Sequence, residues 1–281
     1  MREIGVSAIR ETVTKLFLDA NYHIGEDVLA ALNEARDCES SETGRVVLNM
    51  IIENHKVARE ERLAICQDTG MAVLFVELGQ DVRIVGGEFE AAVNQGVEDA
   101  YREGYLRKSV VDDPLFERKN TCTNRPAIIY TDIVPGDRIR FQATPKGFGS
   151  ENMSALAMMK PADGPEGVKR FVVRTIRQAG PNPCPPTVVG VGIGGTADKA
   201  MLLAKKATLR RIGQYNSDER YARLEKEIME EANNLGIGPA GLGGRTTTLA
   251  INIEHFPTHI AGMPVAVNVC CHAARHAEAV L

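Results

Sequence analysis

The stretch AGPNPCPPTVVGVGIGG, residues 179–195, limits the fold more than any other part of this chain. Each proline fixes its own φ and has no N–H to donate, and each pushes the residue before it out of the helical region. A helix arriving from upstream must therefore stop near Gly180, and none can restart until the glycines are passed. The segment Thr187–Gly195 reads as a short apolar strand running into a glycine turn. Pro183, Pro185 and Pro186 also fence Cys184, and they predict a stiff, extended, non-helical backbone there. A cysteine that merely fills a core needs no such fence; a thiolate that must point at one place does.

On either side the periodicity is clear. The first sixty residues read as helices: Ile4, Ile9, Val13, Leu16 and Phe17 fall at helical spacing, as do Val28, Leu29 and Leu32, and GRVVLNMIIENHKVARE continues the pattern. MAVLFVEL reads as a buried strand and FEAAVNQGVEDAYREGYL as a helix. PAIIYTDIV and RIRFQAT read as strands joined by the turn PGD, and GPEGVKRFVVRTIRQAG as a helix from about Pro165 to Gly180. TADKAMLLAKKATLRRI and SDERYARLEKEIMEEANNL are helical, and TLAINIEHF and PVAVNVCC are strands. No repeat, low-complexity tract or linker interrupts this order. The expectation is one compact mixed α/β (α+β) domain over residues 1–281, with a helical N-terminal subregion over 1–62.

Composition excludes some functions. The formal net charge of −4 and the lack of any Lys/Arg run interleaved with aromatics argue against a nucleic-acid surface. No apolar run approaches a bilayer span, and MREIGVSAIRETVTKLF carries charges where a signal peptide needs an apolar stretch, so a cytoplasmic protein with no membrane partner is expected. The six cysteines, Cys38, Cys66, Cys122, Cys184, Cys270 and Cys271, are scattered and include no CxxC. That pattern leaves free core thiols, or a few distant ligands gathered by the fold.

Four segments could carry chemistry. AICQDTGMAVLFVEL sets Cys66, Gln67, Asp68 and Thr69 in a row before an apolar strand, ending at Gly70. Asp68 can exchange a proton and Gln67 can donate and accept; the plainer alternative is an Asx turn beside a half-buried thiol. ATPKGFGSENMSALAMM is expected to follow a strand and precede a helix capped by Ser150 or Asn152, with Gly147 and Gly149 freeing the backbone beside Lys146. GVGIGG matches GxGxxG through Gly190, Gly192 and Gly195, but no acidic residue ends a second strand about twenty residues on. A glycine turn that grips a carboxylate or supports the cysteine fits better than a dinucleotide site. Arg107 and Arg125 are possible carboxylate forks, and FPTHIAGMPVAVNVCCHAARH brings His259, Cys270, Cys271, His272 and His276 to one strand and its loop.

Taken together, CQDTG, GSENM, PNPCPPTVVGVGIGGTADKA and PVAVNVCCHAARH resemble, over nearly the whole chain and in the same order, the class I iron–sulfur hydro-lyases. These are the oxygen-sensitive fumarate hydratases and their relatives the L-tartrate dehydratases; the likeness is to their alpha subunit or N-terminal region. The resemblance implies a fumarate hydratase N-terminal-type fold and a [4Fe–4S] cluster held by three cysteines. The ligands carried over are Cys66, Cys184 and one of Cys270 and Cys271, with Cys271 assigned because it stands directly before the HAAR-like segment. One iron then stays open to a small dicarboxylic acid, for reversible hydration of fumarate to L-malate, a step of the tricarboxylic acid cycle, with L-tartrate as the alternative substrate.

The resemblance also implies substrate-binding roles for Gln67, Asp68, Arg107 and Gly147 or Gly149, with Asp68 a proton-transfer partner and His259 an active-site histidine. Cys38 and Cys122 match no ligand motif and are expected to be ordinary buried thiols. Single-chain relatives carry a second domain with further basic residues and the catalytic base. A chain ending at Leu281 is therefore expected to pair with a beta subunit, as two alpha and two beta chains, the alpha chains meeting through the N-terminal helices. The competing readings are an NAD-dependent oxidoreductase, from GVGIGG, and a non-catalytic iron–sulfur or metal-binding protein.

Overall fold

The computed structural model describes residues 1–281. In chain order its elements are β1 (Arg2–Gly5), α1 (Val6–Tyr22), α2 (Glu26–Cys38), α3 (Glu42–Glu61), β2 (Met71–Gly79), β3 (Val82–Val85), α4 (Phe89–Glu103), β4 (Ile128–Val134), β5 (Ile139–Lys146), α5 (Phe148–Glu151), β6 (Ala155–Met159), α6 (Gly164–Ala179), β7 (Thr187–Gly194), α7 (Ala197–Ala207), α8 (Glu219–Asn233), β8 (Thr248–Phe256), β9 (Met263–Cys270) and β10 (Ala277–Val280). The mixed α/β class is as expected. Helices α1, α2 and α3 fill most of the first sixty residues, with short connections at 23–25 and 39–41, but Ile4 is not helical as expected: it lies in β1, where it pairs with Ile84 of β3. Packing groups the chain into two compact units: residues 1–24, 54–148 and 275–281 form the first, and residues 25–53 and 149–274 the second.

The first unit is a four-stranded sheet in the order β10-β5-β2-β4, with helices α1 and α4 packed on it and on each other. β4 and β5 follow each other in sequence through the PGD turn, yet they are not neighbours. β2 lies between them, parallel to β4 and antiparallel to β5. Alternation on β2 and β5 decides the buried face: Leu74 pairs Ala143 and Val76 pairs Phe141, and these side chains meet Ile9, Val13, Phe17, Val93, Val97 and Tyr101 in one core. Gly96 lets the two helices close up, because a Cβ there would lie 2.6 Å from the Arg10 carbonyl oxygen. β1 and β3 pair in parallel as a separate ribbon.

The second unit is a sheet in the order β6-β9-β7-β8 between two helical layers. Val189 and Val191 of β7 and Val265, Val267 and Val269 of β9 face α6 and α8, where they pack on Phe171, Val172, Ile176, Leu224 and Ile228. The opposite face receives α7, whose Ala200 and Ala204 cluster with Ala266. Here the GVGIGG glycines find their use. A Cβ on Gly190 would lie 2.0 Å from the Ala204 carbonyl oxygen, and one on Gly192 2.0 Å from that of Ala200. α7 rests on the bare backbone of β7, so two of the three glycines of the GxGxxG match serve helix–strand packing. The turn at Gly194–Gly195 meets Phe256–Thr258, at the opposite end of β7 from Cys184, so it does not support the cysteine as expected.

The segment after GSEN also departs from expectation. SALAMM is not a helix but the edge strand β6, antiparallel to β9, with Ala155, Ala157 and Met159 turned to the core and Leu156 and Met158 exposed. Ser150 and Asn152 therefore cap no helix; Ser150 lies inside the single turn α5. No helix of the chain is long and apolar enough to cross a membrane.

One buried ion pair fastens the α7–α8 connection. Glu225, 1% exposed, accepts from Arg210 and from the backbone N–H groups of Ile253 at 2.7 Å and Asn216 at 3.0 Å. Removing one partner of such a pair leaves a buried charge and unsatisfied donors, so Glu225→Ala is expected to lower unfolding free energy by about 3–5 kcal/mol. Denaturant titration checks this, and a loss below about 1 kcal/mol would contradict it.

Candidate active site

In the first unit the turn Cys66–Gly70 enters β2 with its main-chain carbonyls gripped from behind. Tyr101, fully buried, donates its hydroxyl to the carbonyls of Thr69 at 2.5 Å and Gly70 at 2.9 Å. Burial pushes its phenol far above the usual range, so it remains a donor. Asn124, also buried, donates to the Gly70 carbonyl at 3.1 Å and accepts from the Ser109 N–H at 2.8 Å. Arg275 donates from Nη2 to the Asp68 carbonyl and from Nε to the Pro145 carbonyl at 3.4 Å. Three consecutive carbonyls are thus held by side chains.

The Asp68 carboxylate is itself held at both oxygens. Oδ1 accepts from the Gly70 N–H at 3.0 Å and Oδ2 from the Phe148 N–H at 2.7 Å. Gly147 is the glycine beside it: a Cβ there would lie 3.3 Å from Oδ2. The Thr69 hydroxyl donates to the Arg107 carbonyl at 2.7 Å, which roots the long 104–127 loop on the same turn while the Arg107 side chain stays exposed. Gln67 is exposed, and the Cys66 thiol lies 3.4 Å from its Oε1. One unit therefore brings together Cys66, Gln67, Asp68, Gly147 and the backbone of Arg107.

The second unit holds Cys184, Cys270 and Cys271. The Cys184 backbone is not extended as the prolines suggest; its φ is 53°, in the left-handed region, and its N–H closes a turn onto the Pro181 carbonyl at 3.0 Å. The prolines exclude the right-handed helix but leave this alternative, and the turn selects it. A glycine-rich loop braces the fence from outside: Ala240 N–H donates to the Pro185 carbonyl at 2.8 Å, and a Cβ on Gly241 would lie 2.3 Å from Pro181 Cβ. The His272 N–H donates to the Cys184 carbonyl at 3.3 Å, so the third-cysteine segment is bonded to the Cys184 turn. Cys270, paired with Val188, points to the α7 side of the sheet by strand alternation, and Cys271 begins the departing loop. A Cβ on Gly149, in this unit, would meet only the Asn182 carbonyl oxygen at 3.6 Å, an ordinary contact.

Other expected residues lie apart. His259 is exposed in the β8–β9 loop, where its Nδ1 accepts from the Ala261 N–H at 3.2 Å. The eight residues of β9 separate that loop from Cys271, a distance on the order of 20–25 Å at about 3.3 Å per residue. His259 therefore does not join Cys184 and Cys271 within this chain. Cys38 and Cys122, expected to be buried, are both exposed. Arg125 is engaged by Glu98 at 3.2 Å. No group of three or more His, Cys, Asp or Glu side chains stands in metal-ligand geometry, so the fit of a metal group is judged by donor chemistry.

Sequence reasoning missed the residues that hold the turn. Tyr101 follows Val93 and Val97 at helical spacing and looks like core; Arg275 passes as the tail of HAARH. A lone arginine in a run of small residues was the available signal.

Glu39 plays a comparable holding part in the second unit. It is 2% exposed and accepts from the N–H groups of Ser41, Arg245 and Thr246 at 2.9–3.1 Å, which fixes the C-terminal end of the glycine-rich loop.

Comparison with known proteins gives a consistent result. The family model described as "Fumarate hydratase (Fumerase)" matches residues 10–280. A Methanocaldococcus jannaschii protein provisionally named L(+)-tartrate dehydratase subunit alpha is 46% identical over 273 residues, covering 96% of each chain. The L(+)-tartrate dehydratase subunits alpha of Escherichia coli strains UTI89 and K12 are 32% and 31% identical, covering 98% of this chain and 91% of theirs.

Burial pushes the Glu39 carboxyl up, but the N–H groups of Ser41, Arg245, Thr246 and Ser40 outweigh it and hold it below the usual range. A depressed folded-state pKa contributes stability that is complete above the unfolded value of about 4.3 and disappears as pH falls through the folded one. Thermal unfolding between pH 7 and pH 3 is therefore expected to show a steeper acid loss for the wild type than for Glu39→Gln, which is less stable at pH 7. Parallel curves would overturn the assignment.

Proposed function

The chain belongs to the fumarate hydratase (fumerase) family of hydro-lyases, and from that premise we propose that it is the alpha subunit of an iron–sulfur enzyme that hydrates fumarate to L-malate reversibly. The observation that carries this reading is the turn Cys66–Gly70, which sets a partly exposed thiol, an exposed amide and a doubly held carboxylate side by side on a backbone fixed from behind. A beta subunit is the proposed partner, because the curated relatives are named as alpha subunits, and two alpha with two beta chains is the proposed assembly. A cytoplasmic location is proposed on the same terms.

The donors suit a [4Fe–4S] cluster. Cys66, Cys184 and Cys271 are half-buried or exposed cysteines on irregular backbone, and two of them sit in segments joined by the bond between His272 and Cys184. Thiolates are the usual anchors of such clusters. When bound, the cluster supplies a Lewis-acidic iron to polarise substrate oxygens. The protein's part is orientation and proton movement. Asp68, with both oxygens fixed, is this chain's proton-transfer partner beside the substrate carbons, working with the base expected on the beta subunit. In the hydration direction one water is consumed, its hydroxide going to one alkene carbon and a proton to the other. Gln67 orients a substrate oxygen, the exposed Arg107 offers a fork for a carboxylate, and Gly147 lets substrate approach beside Asp68. His259 has no step here, given its place at the far end of β9.

A second reading, L(+)-tartrate dehydration to oxaloacetate, is favoured by the names of the relatives that match almost end to end. The two are separated by assaying fumarate formation from L-malate against oxaloacetate formation from L-tartrate, with both subunits loaded anaerobically. Malate turnover at least tenfold above tartrate supports the first; the reverse replaces it with the second. Activity in neither direction with either acid removes both.

Two further outcomes are expected. Cys184→Ser should lose most of the broad visible absorption that thiolate-held iron–sulfur groups show, and undiminished absorption would remove Cys184 from the ligand set. The chain without its beta subunit should turn over little or nothing, and full activity from it alone would end the two-subunit reading.

A further inference from the structure

Arg275 is 3% exposed, and every hydrogen bond its guanidinium makes goes to a main-chain carbonyl, of Asp68 and of Pro145. Its Nη1 is buried and makes none. Its own carbonyl accepts from the Thr144 hydroxyl at 3.0 Å, so the residue is fixed to the end of β5 that closes at Lys146 and leads to Gly147. A buried guanidinium with an unsatisfied N–H is costly to keep. A structural clamp for two carbonyls could be made more cheaply by a neutral donor, as Tyr101 and Asn124 show at the next two carbonyls of the same turn. The one cation in this set is the one that grips Asp68. Gly147 reports how close the two groups are: a Cβ on it would stand 3.3 Å from Asp68 Oδ2 and 4.0 Å from Arg275 Nη2.

We propose that Arg275 is a positioning residue for the hydro-lyase reaction: it locks the Asp68–Thr69 peptide plane and so sets the aim of the Asp68 carboxylate. This deepens the reading of Asp68 as the proton-transfer group and rests on it. A carboxylate held only through the N–H groups of Gly70 and Phe148 can still rock with the turn; fixing the carbonyl of the same residue removes that rotation. Misplacement of a reacting group by about 1 Å can cost on the order of a hundredfold in rate, so the effect belongs in kcat rather than in substrate affinity.

The test uses the anaerobically loaded complex of both subunits carrying Arg275→Gln, Arg275→Lys or Asp68→Asn. Kinetics with L-malate, or with L-tartrate if that is the acid turned over, are normalised to folded protein, and amide hydrogen exchange is followed in the 66–71 segment. Arg275→Gln is expected to lower kcat by about 10- to 100-fold with KM changed less than threefold, and to speed exchange in that segment by about tenfold. Arg275→Lys, which keeps the charge and can reach one carbonyl, is expected to recover a substantial part of kcat. It is also the variant to judge by if Arg275→Gln does not fold. Asp68→Asn is expected to lose about a hundredfold or more. If Asp68→Asn is inactive while the folded Arg275 variants keep wild-type kcat and exchange, the positioning role is overturned and the role of Asp68 stands. If Asp68→Asn keeps wild-type kcat, the reading of Asp68 itself falls and the proposal with it. A kcat loss that vanishes on normalising to folded protein shows Arg275 to be structural only and overturns the proposal.

Discussion

The site proposed for this chain rests on a turn in which the carbonyls of residues 68, 69 and 70 are already engaged. A run such as Gln67–Asp68–Thr69–Gly70 would ordinarily satisfy its backbone with water or with its own side chains. Here Arg275, Tyr101 and Asn124 take the carbonyls of residues 68, 69 and 70 from the protein side. With those groups engaged, the exposed face of the turn is left to Cys66, Gln67 and the Asp68 carboxylate. Each hydrogen bond is worth about 1 kcal/mol net. Together they turn a short polar loop into a rigid platform whose side chains need not be ordered when a ligand arrives, which is the cost that preorganisation removes.

The second unit solves a similar problem with missing side chains. Gly190 and Gly192 bring α7 onto the backbone of β7, and this sets the layer spacing on one face of the sheet. Gly241 does the same for the loop that backs the proline fence. Cys184 thus sits on backbone held from three directions: by its own turn to Pro181, by Ala240 against Pro185, and by His272 against its carbonyl. The prolines give the turn its shape, and the glycines let other backbone close around it.

Much of this could be read from the chain, and the failures have physical causes. The helices α1, α4, α6 and α8 and the strands β2, β7, β8 and β9 are legible because their apolar residues recur at periods the core demands. SALAMM reads as helix because Ala, Leu and Met are strong helix formers; pairing with β9 overrides that preference, and no local signal announces it. The insertion of β2 between β4 and β5 is likewise invisible, since strand neighbours are chosen by the whole fold. The cysteine motifs are recognisable as segments, but their surroundings are not. Nothing near CQDTG shows that Tyr101, Asn124 and Arg275, from three distant stretches, will close on it. His259 looks close to Cys271 in sequence only because an extended strand uses few residues to cover a long distance. Membership of the family, as the comparison shows it, carries the class of reaction; the placement of side chains comes from the fold alone.

The left-handed backbone at Cys184 has a consequence for descent. A residue with a Cβ costs roughly 1 kcal/mol or more in that conformation, whereas glycine is at ease there. Drift should therefore favour glycine at position 184 in any lineage where the thiol is no longer needed, with the surrounding prolines and glycines left in place as a mould of the lost group.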